Sequence, residues 1–191
     1  LCMARRKFRH VGAVELQPEF CSLIERNIRL NHFEQKVSCI NEDVRLLRPD
    51  ALGMESDVIF TNPPYMRAGS GKTNFHTIKT MARHEICGNI EDFCAAAERN
   101  LKFGGLFYAI YRPDRMAELF SAMRSVCLEP KRLLMVYPDI ASPPSLLLTE
   151  GKKGANPGLK NMKPLILYEN IAHTSYTKDF QYIYDHGDIK E

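Results

Sequence analysis

Short apolar runs alternate with longer amphipathic stretches along nearly the whole chain of 191 residues. Residues 10–16 (HVGAVEL) are apolar and β-branched at their centre, which predicts a strand buried on both faces. Pro18 stands at the expected first helical turn, and Phe20, Leu23, Ile24, Ile28 and Leu30 supply the apolar stripe of the helix that follows. Residues 37–40 read as a second strand ending at Asn41-Glu42-Asp43-Val44, and residues 57–61 as a third. A helix is predicted over 91–101 from Phe93, Ala96, Ala97 and Leu101, with Gly104-Gly105 as its stop. Residues 106–111 make a fourth strand, 114–126 a helix, 132–137 a fifth strand and, after a loop marked by Pro and Gly, 164–168 a sixth.

This alternation predicts an α/β fold with a mostly parallel, doubly wound sheet, in one domain over residues 1–191. Ligands bind such sheets at the carboxyl ends of the strands, where Glu15, Asp43 and Asn62 stand. With 45% hydrophobic and 26% charged residues the chain has material for a core and no compositional case for disorder. No uncharged apolar run approaches the roughly 18 residues of a membrane span, and no leader pattern is visible. The expectation is a soluble, cytoplasmic monomer with no membrane partner. Its six cysteines are scattered without a C-x-x-C pair, which predicts free thiols and no metal.

Charge changes the picture only locally, because the net value is +3. Residues 66–84 carry Arg67, Lys72, Lys79 and Arg83 without an acid, and Lys152, Lys153, Lys160 and Lys163 follow Glu150. Such runs suit either a solvated face or a polyanionic partner. Arg115, Lys131 and Arg132 are open to the same two readings, as RNA phosphates require positive charge without base identity. Gly69-Ser70-Gly71-Lys72-Thr73 is not a phosphate-binding P-loop, since Met66 stands where that pattern requires glycine. His84 beside Glu85 reads as a helix-surface pair.

The candidate chemistry lies in Asn62-Pro63-Pro64-Tyr65, at the end of the third strand. An amino group on a planar ring or an amide is a poor nucleophile because its lone pair is delocalised. A site that makes it attack must accept its hydrogens. The Asn62 side-chain oxygen and a backbone carbonyl locked by Pro63 and Pro64 offer two fixed acceptors, and the prolines bring no N–H to compete for them. Tyr65 supplies a flat face for stacking, worth roughly 1–3 kcal/mol for a nucleobase.

These four residues resemble the catalytic tetrapeptide of class I S-adenosylmethionine-dependent amino-methyltransferases, a family with a Rossmann-like fold. Ala82-Arg83-His84-Glu85, Arg112-Pro113-Asp114-Arg115, Leu128-Glu129-Pro130-Lys131-Arg132 and Glu150-Gly151-Lys152-Lys153-Gly154 resemble the bacterial group that places an N6-methyl on an adenine of a valine tRNA. The resemblance implies S-adenosylmethionine as cofactor, with Glu15 on its ribose, Leu16 beside it, and Asp43 with the Val44 backbone at its adenine. Asn62 and the Pro63 carbonyl would hold the target amine and Tyr65 would stack. Arg67, Lys72, Lys79, Arg115, Lys152 and Lys153 would contact substrate, most naturally tRNA. A protein glutamine or a DNA adenine are the alternative acceptors, and an inactive module that only binds RNA or a partner is a third reading.

Family members carry a strand and a glycine-rich cofactor loop about 20 residues before the ribose-binding acid. Only fourteen residues precede Glu15, and Gly12 is the one glycine among them. The expectation is therefore a chain that lacks the family's first strand and glycine-rich loop, with Leu1 inside an amphipathic segment. The expectation is that about 40 or more residues precede it in the natural protein, that this chain alone is inactive, and that the strands bearing Glu15 and Asn62 each lack a neighbour.

Overall fold

In the computed structural model, which describes residues 8–64 and 88–187, the chain forms two units. Residues 8–56 with 88–100 make the first, and residues 57–64 with 101–187 the second.

The first unit holds a parallel pair, β1 (Val11–Glu15) and β2 (Val37–Asn41), in register from Val11 opposite Val37 to Glu15 opposite Asn41. The connection is α1 (Pro18–Leu30), which opens on proline because the first turn needs no N–H donor there. β1 is half-buried rather than buried on both faces. The buried stripe of α1 also differs from the expected one. Cys21, Ile24 and Ile28 face inward, while Phe20, Leu23 and Leu30 are exposed. Both sets follow the helical period, so periodicity alone does not choose between them. After the short α2 (Pro49–Leu52), α3 (Ile90–Asn100) begins with a reciprocal cap: Asn89 Oδ1 accepts from the Asp92 N–H and Asp92 Oδ2 from the Asn89 N–H, both at 2.9 Å.

The second unit is a six-stranded sheet. Its strands are β3 (Ser56–Thr61), β4 (Leu101–Tyr111), β5 (Leu128–Tyr137), β6 (Leu146–Lys153), β7 (Lys160–Asn161) and β8 (Leu165–Ile166), in the order β3-β4-β6-β5-β7 with β8 also on β5. A 3-10 turn (Pro113–Arg115) leads into α4 (Met116–Ser125), and α5 (Lys178–His186) closes the described chain. Among the described residues β1 is an edge of its two-stranded sheet and β3 an edge of this one.

Three further sequence expectations are corrected in the sheet and its flanks. Gly104-Gly105 does not stop a helix: α3 ends at Asn100 and both glycines lie inside β4. A Cβ on Gly105 would stand 2.9 Å from the Lys102 carbonyl and 3.2 Å from that of Asp57, so the glycine permits the close approach of β3 and β4. The loop between the fifth and sixth expected strands contains β6, a full central strand. Its Gly151 disguised it, although that position is roofed by Met123, whose Cε would be 2.5 Å from an added Cβ. The expected strand over 164–168 shrinks to Leu165–Ile166. The helix α5 was not expected at all, although Thr177 caps it, accepting from the Phe180 N–H, and Gly187 ends it at φ +64°.

Alternation sorts β4 and β6 cleanly. Phe107, Ala109, Tyr111, Leu147 and Thr149 are buried, as are Leu119, Ala122 and Met123 of α4, and Thr149 spends its hydroxyl on the Arg132 carbonyl at 3.1 Å. Cys21, Cys39, Cys94 and Cys127 are free thiols, the last of them exposed. Among the described residues no helix is long and apolar enough to cross a membrane, and no group of three or more His, Cys, Asp or Glu gathers to hold a metal. Since Leu147 is fully buried at the centre of the sheet, Leu147→Ala should lower stability by about 2–5 kcal/mol in urea unfolding, with little change in m-value.

Candidate active site

In the first unit, the loops that leave β1 and β2 are tied at their strand ends. Asn41 Nδ2 donates to the carbonyls of Glu15 and Leu16, at 2.9 and 3.0 Å, and the Glu42 N–H donates to the Glu15 carbonyl at 3.1 Å. The Glu15 carboxylate accepts from the Gln17 N–H at 2.8 Å through Oε1. Asp43 is engaged differently. Both its oxygens accept from Arg45 Nε at 3.0 Å and Oδ1 also accepts from the Arg45 N–H, which lowers the carboxyl below its ordinary range.

In the second unit, β6 runs antiparallel to both β4 and β5, so those two run the same way. β3 joins them: Asp57 meets Lys102 at 2.6 Å, and three residues on, Phe60 stacks on Tyr108 with centroids 5.0 Å apart. The carboxyl ends of β3, β4 and β5 therefore lie along one edge. Asn62-Pro63-Pro64 leaves β3 there, with Asn62 exposed and Pro63 fully buried. Arg112 to Arg115 leaves β4, and the Pro138–Asp139 turn leaves β5. Tyr65, Arg67, Lys72 and Lys79 lie outside the described residues.

The basic candidates divide. Arg115, beside that edge, pairs with Glu118 and sits over the Tyr111 ring at 5.2 Å from its centroid. Lys152 and Lys153 lie at the opposite end of the sheet, since Lys152 pairs with Leu106 while Tyr111 pairs with Leu147. Lys153 Nζ donates to the Leu101 carbonyl at 2.9 Å. Arg132 contacts Glu150 at 3.4 Å.

No protein-family model matches the chain. Over 101 residues it is 28% identical to a tRNA1(Val) (adenine(37)-N6)-methyltransferase of Histophilus somni, an alignment that covers 53% of this chain and 42% of that protein. The chain thus aligns with less than half the length of the curated relative. A predicted O-methyltransferase from Agrobacterium tumefaciens superimposes with a TM-score of 0.71 at 20% identity, covering 92% of this chain and 77% of the other. A geranyl diphosphate C-methyltransferase from Streptomyces coelicolor gives 0.55 at 15%, covering 79% and 68%. The chain has a Rossmann-like class I methyltransferase fold.

Within that fold, three supports escaped the sequence reading. Arg99 of α3 holds the loop after β2 by three carbonyls: Nε donates to Leu47 at 2.9 Å, and Nη2 to Arg45 at 3.1 Å and Val44 at 3.3 Å. Tyr108 donates its hydroxyl to Glu150 at 2.6 Å, and burial with that carboxylate pushes the phenol up to about 12. Asp139, buried in the turn after β5, accepts from the N–H groups of Ala141 and Ser142 at 2.9 Å and from the Ser142 hydroxyl at 2.7 Å. His173 Nε2 lies 2.9 Å from its Oδ2 and stacks on Tyr168, which fastens the C-terminal segment to this edge. Arg99 and Asp139 follow no motif, and only contacts distant in sequence give them meaning.

Two outcomes follow. Removing Arg99 leaves the Val44 and Arg45 carbonyls without that donor and the Leu47 carbonyl to Asn100 and Arg48 alone, so Arg99→Ala should speed hydrogen exchange at the Leu46 and Leu47 amides, which bond to the Asp43 carbonyl, by roughly tenfold or more. The His173 ring and the Ser142 hydroxyl hold the Asp139 carboxyl down to about 2, below an unfolded value of about 3.9. Its stabilisation is therefore present above about pH 4 and lost as pH falls toward about 2. Asp139→Asn should unfold more easily at pH 7 and show a flatter acid limb in an unfolding-versus-pH series.

Proposed function

We propose that the protein is an S-adenosylmethionine-dependent N-methyltransferase that modifies an adenine N6 in tRNA, in the cytoplasm. The observation that carries this reading is Asn62-Pro63-Pro64 at the carboxyl end of β3, with an exposed amide on a fully buried proline. The fold alone does not choose the acceptor atom, since relatives described as O- and C-methyltransferases share it. The tetrapeptide supplies what an amine needs, namely fixed acceptors for its hydrogens with no reorganisation at the moment of reaction. The similarity to a tRNA adenine-N6 methyltransferase supports the same acceptor.

The cofactor's sulfonium carries the methyl group to be transferred. Glu15 suits its ribose diol, because Oε1 is held by the Gln17 N–H and the carboxylate retains acceptor capacity at the strand end. Asp43 fits as the anchor of its loop, and an adenine amine would share or replace the contacts that Arg45 makes now. Asn62 and the Pro63 carbonyl would hold the amine hydrogens and leave the nitrogen lone pair available to take the methyl group, with the cofactor's thioether as leaving group. The methylated nitrogen would be cationic and acidic, and would give its proton to water without a strong base.

In the intact gene product, Asn62→Ala should lower kcat for methyl transfer into total tRNA by roughly 10²–10³ while cofactor affinity changes little. Near-normal turnover would remove the clamp, and transfer into protein or DNA in place of tRNA would redirect the substrate.

A further inference from the structure

Phe103 is the most exposed large apolar side chain among the described residues of the second unit, at 83%, yet it is braced. Its Cε2, Cζ and Cδ2 atoms would lie 2.2, 2.7 and 2.9 Å from a Cβ on Gly154, so the ring leans directly on that backbone. Gly154 has φ +69° and donates its N–H to the Cys127 carbonyl at 2.9 Å, which fixes the turn below the ring. Only glycine satisfies both demands. Lysines flank the ring: Lys102 before it, Lys152 passing 3.8 Å from where a Gly104 Cβ would stand, and Lys153 bonded to the Leu101 carbonyl. Lys131, bonded to the Asn156 carbonyl at 2.9 Å, stands on the neighbouring strand. Three acids share this end of the sheet. Asp57 pairs with Lys102, Glu129, opposite Lys152, pairs with Arg124 at 3.3 Å, and Glu150, two residues before Lys152, is taken by Tyr108 and Arg132. Cations remain in excess.

We propose that this corner is a second nucleic-acid contact, separate from the edge that carries Asn62: an unpaired base stacks on Phe103 while Lys152 and Lys102 meet the adjoining phosphates. A rigid aromatic face beside lysines is the arrangement that holds single-stranded nucleotides without reading their sequence. Exposed Lys102–Asp57 pairing is weak enough to exchange for a phosphate. The five residue-to-residue steps from Leu106 to Tyr111 separate the corner from the Asn62 edge by roughly 17 Å along β4. The corner therefore holds a part of the substrate remote from the reacting base. This inference rests on the reading that the substrate is tRNA.

The test is binding and turnover with unfractionated tRNA in the intact gene product. Phe103→Ala should weaken tRNA binding roughly tenfold and raise KM with kcat unchanged, with Phe103→Tyr close to the parent protein. Lys152→Ala should lower the slope of log K against log salt by about 0.7–0.9. Since Phe103 is exposed, circular dichroism should show the variants folded. Parent tRNA binding with unchanged affinity in Phe103→Ala overturns the corner alone. Failure of the parent protein to bind tRNA overturns both the corner and the substrate reading. Loss of self-association in Phe103→Ala with tRNA binding intact would assign the surface to a second copy of the chain and overturn the proposal.

Discussion

Everything that the second unit offers to a ligand depends on one strand, β6, lying antiparallel between β4 and β5. Insertion of a reversed strand lets its two neighbours run the same way, and β3 follows β4 in that direction. Asn62, the Arg112 turn and the Asp139 turn are gathered on one edge as a result. The same insertion carries Lys152 and Lys153 to the other edge. Hydrogen bonding of the ladder, more than any single side chain, decides which residues can share a substrate.

Side chains then hold the loops that the ladder has positioned. Asn41 and Arg99 satisfy backbone carbonyls around the strand ends of the first unit, and Asp139 does the same for N–H groups after β5. Unsatisfied, such groups cost about 1–3 kcal/mol each when buried. Fixed loops are what a clamp for a weak nucleophile requires, because acceptors that must reorganise during reaction lose most of their advantage.

Much of this was legible in the sequence. The α/β class, β1 to β5 and the helices α1, α3 and α4 follow from short apolar runs and amphipathic stretches, and the tetrapeptide stands at the end of β3 where the sequence puts it. The misses have physical reasons. β6 contains Gly151 and ends in lysines, so its pattern reads as a loop until Met123 is seen filling the glycine's place. The face of α1 is ambiguous because Cys21 and Phe20 both fit the helical period. Lys152, which the resemblance put on the substrate, is set by register at the far end of β4 and β6, a placement that only the ladder gives. Asp139 and His173, 34 residues apart, become a pair only in three dimensions.

The central claim is that an exposed amide on a buried proline selects an amine as methyl acceptor. Its most direct measurement is the chemical identity of the product: incubate the intact gene product with isotopically labelled S-adenosylmethionine, tRNA, DNA and protein together, digest each polymer, and identify the labelled species by mass spectrometry. The account predicts label in N6-methyladenosine from tRNA. Label on an oxygen or a carbon atom, in any of the three polymers, would contradict it.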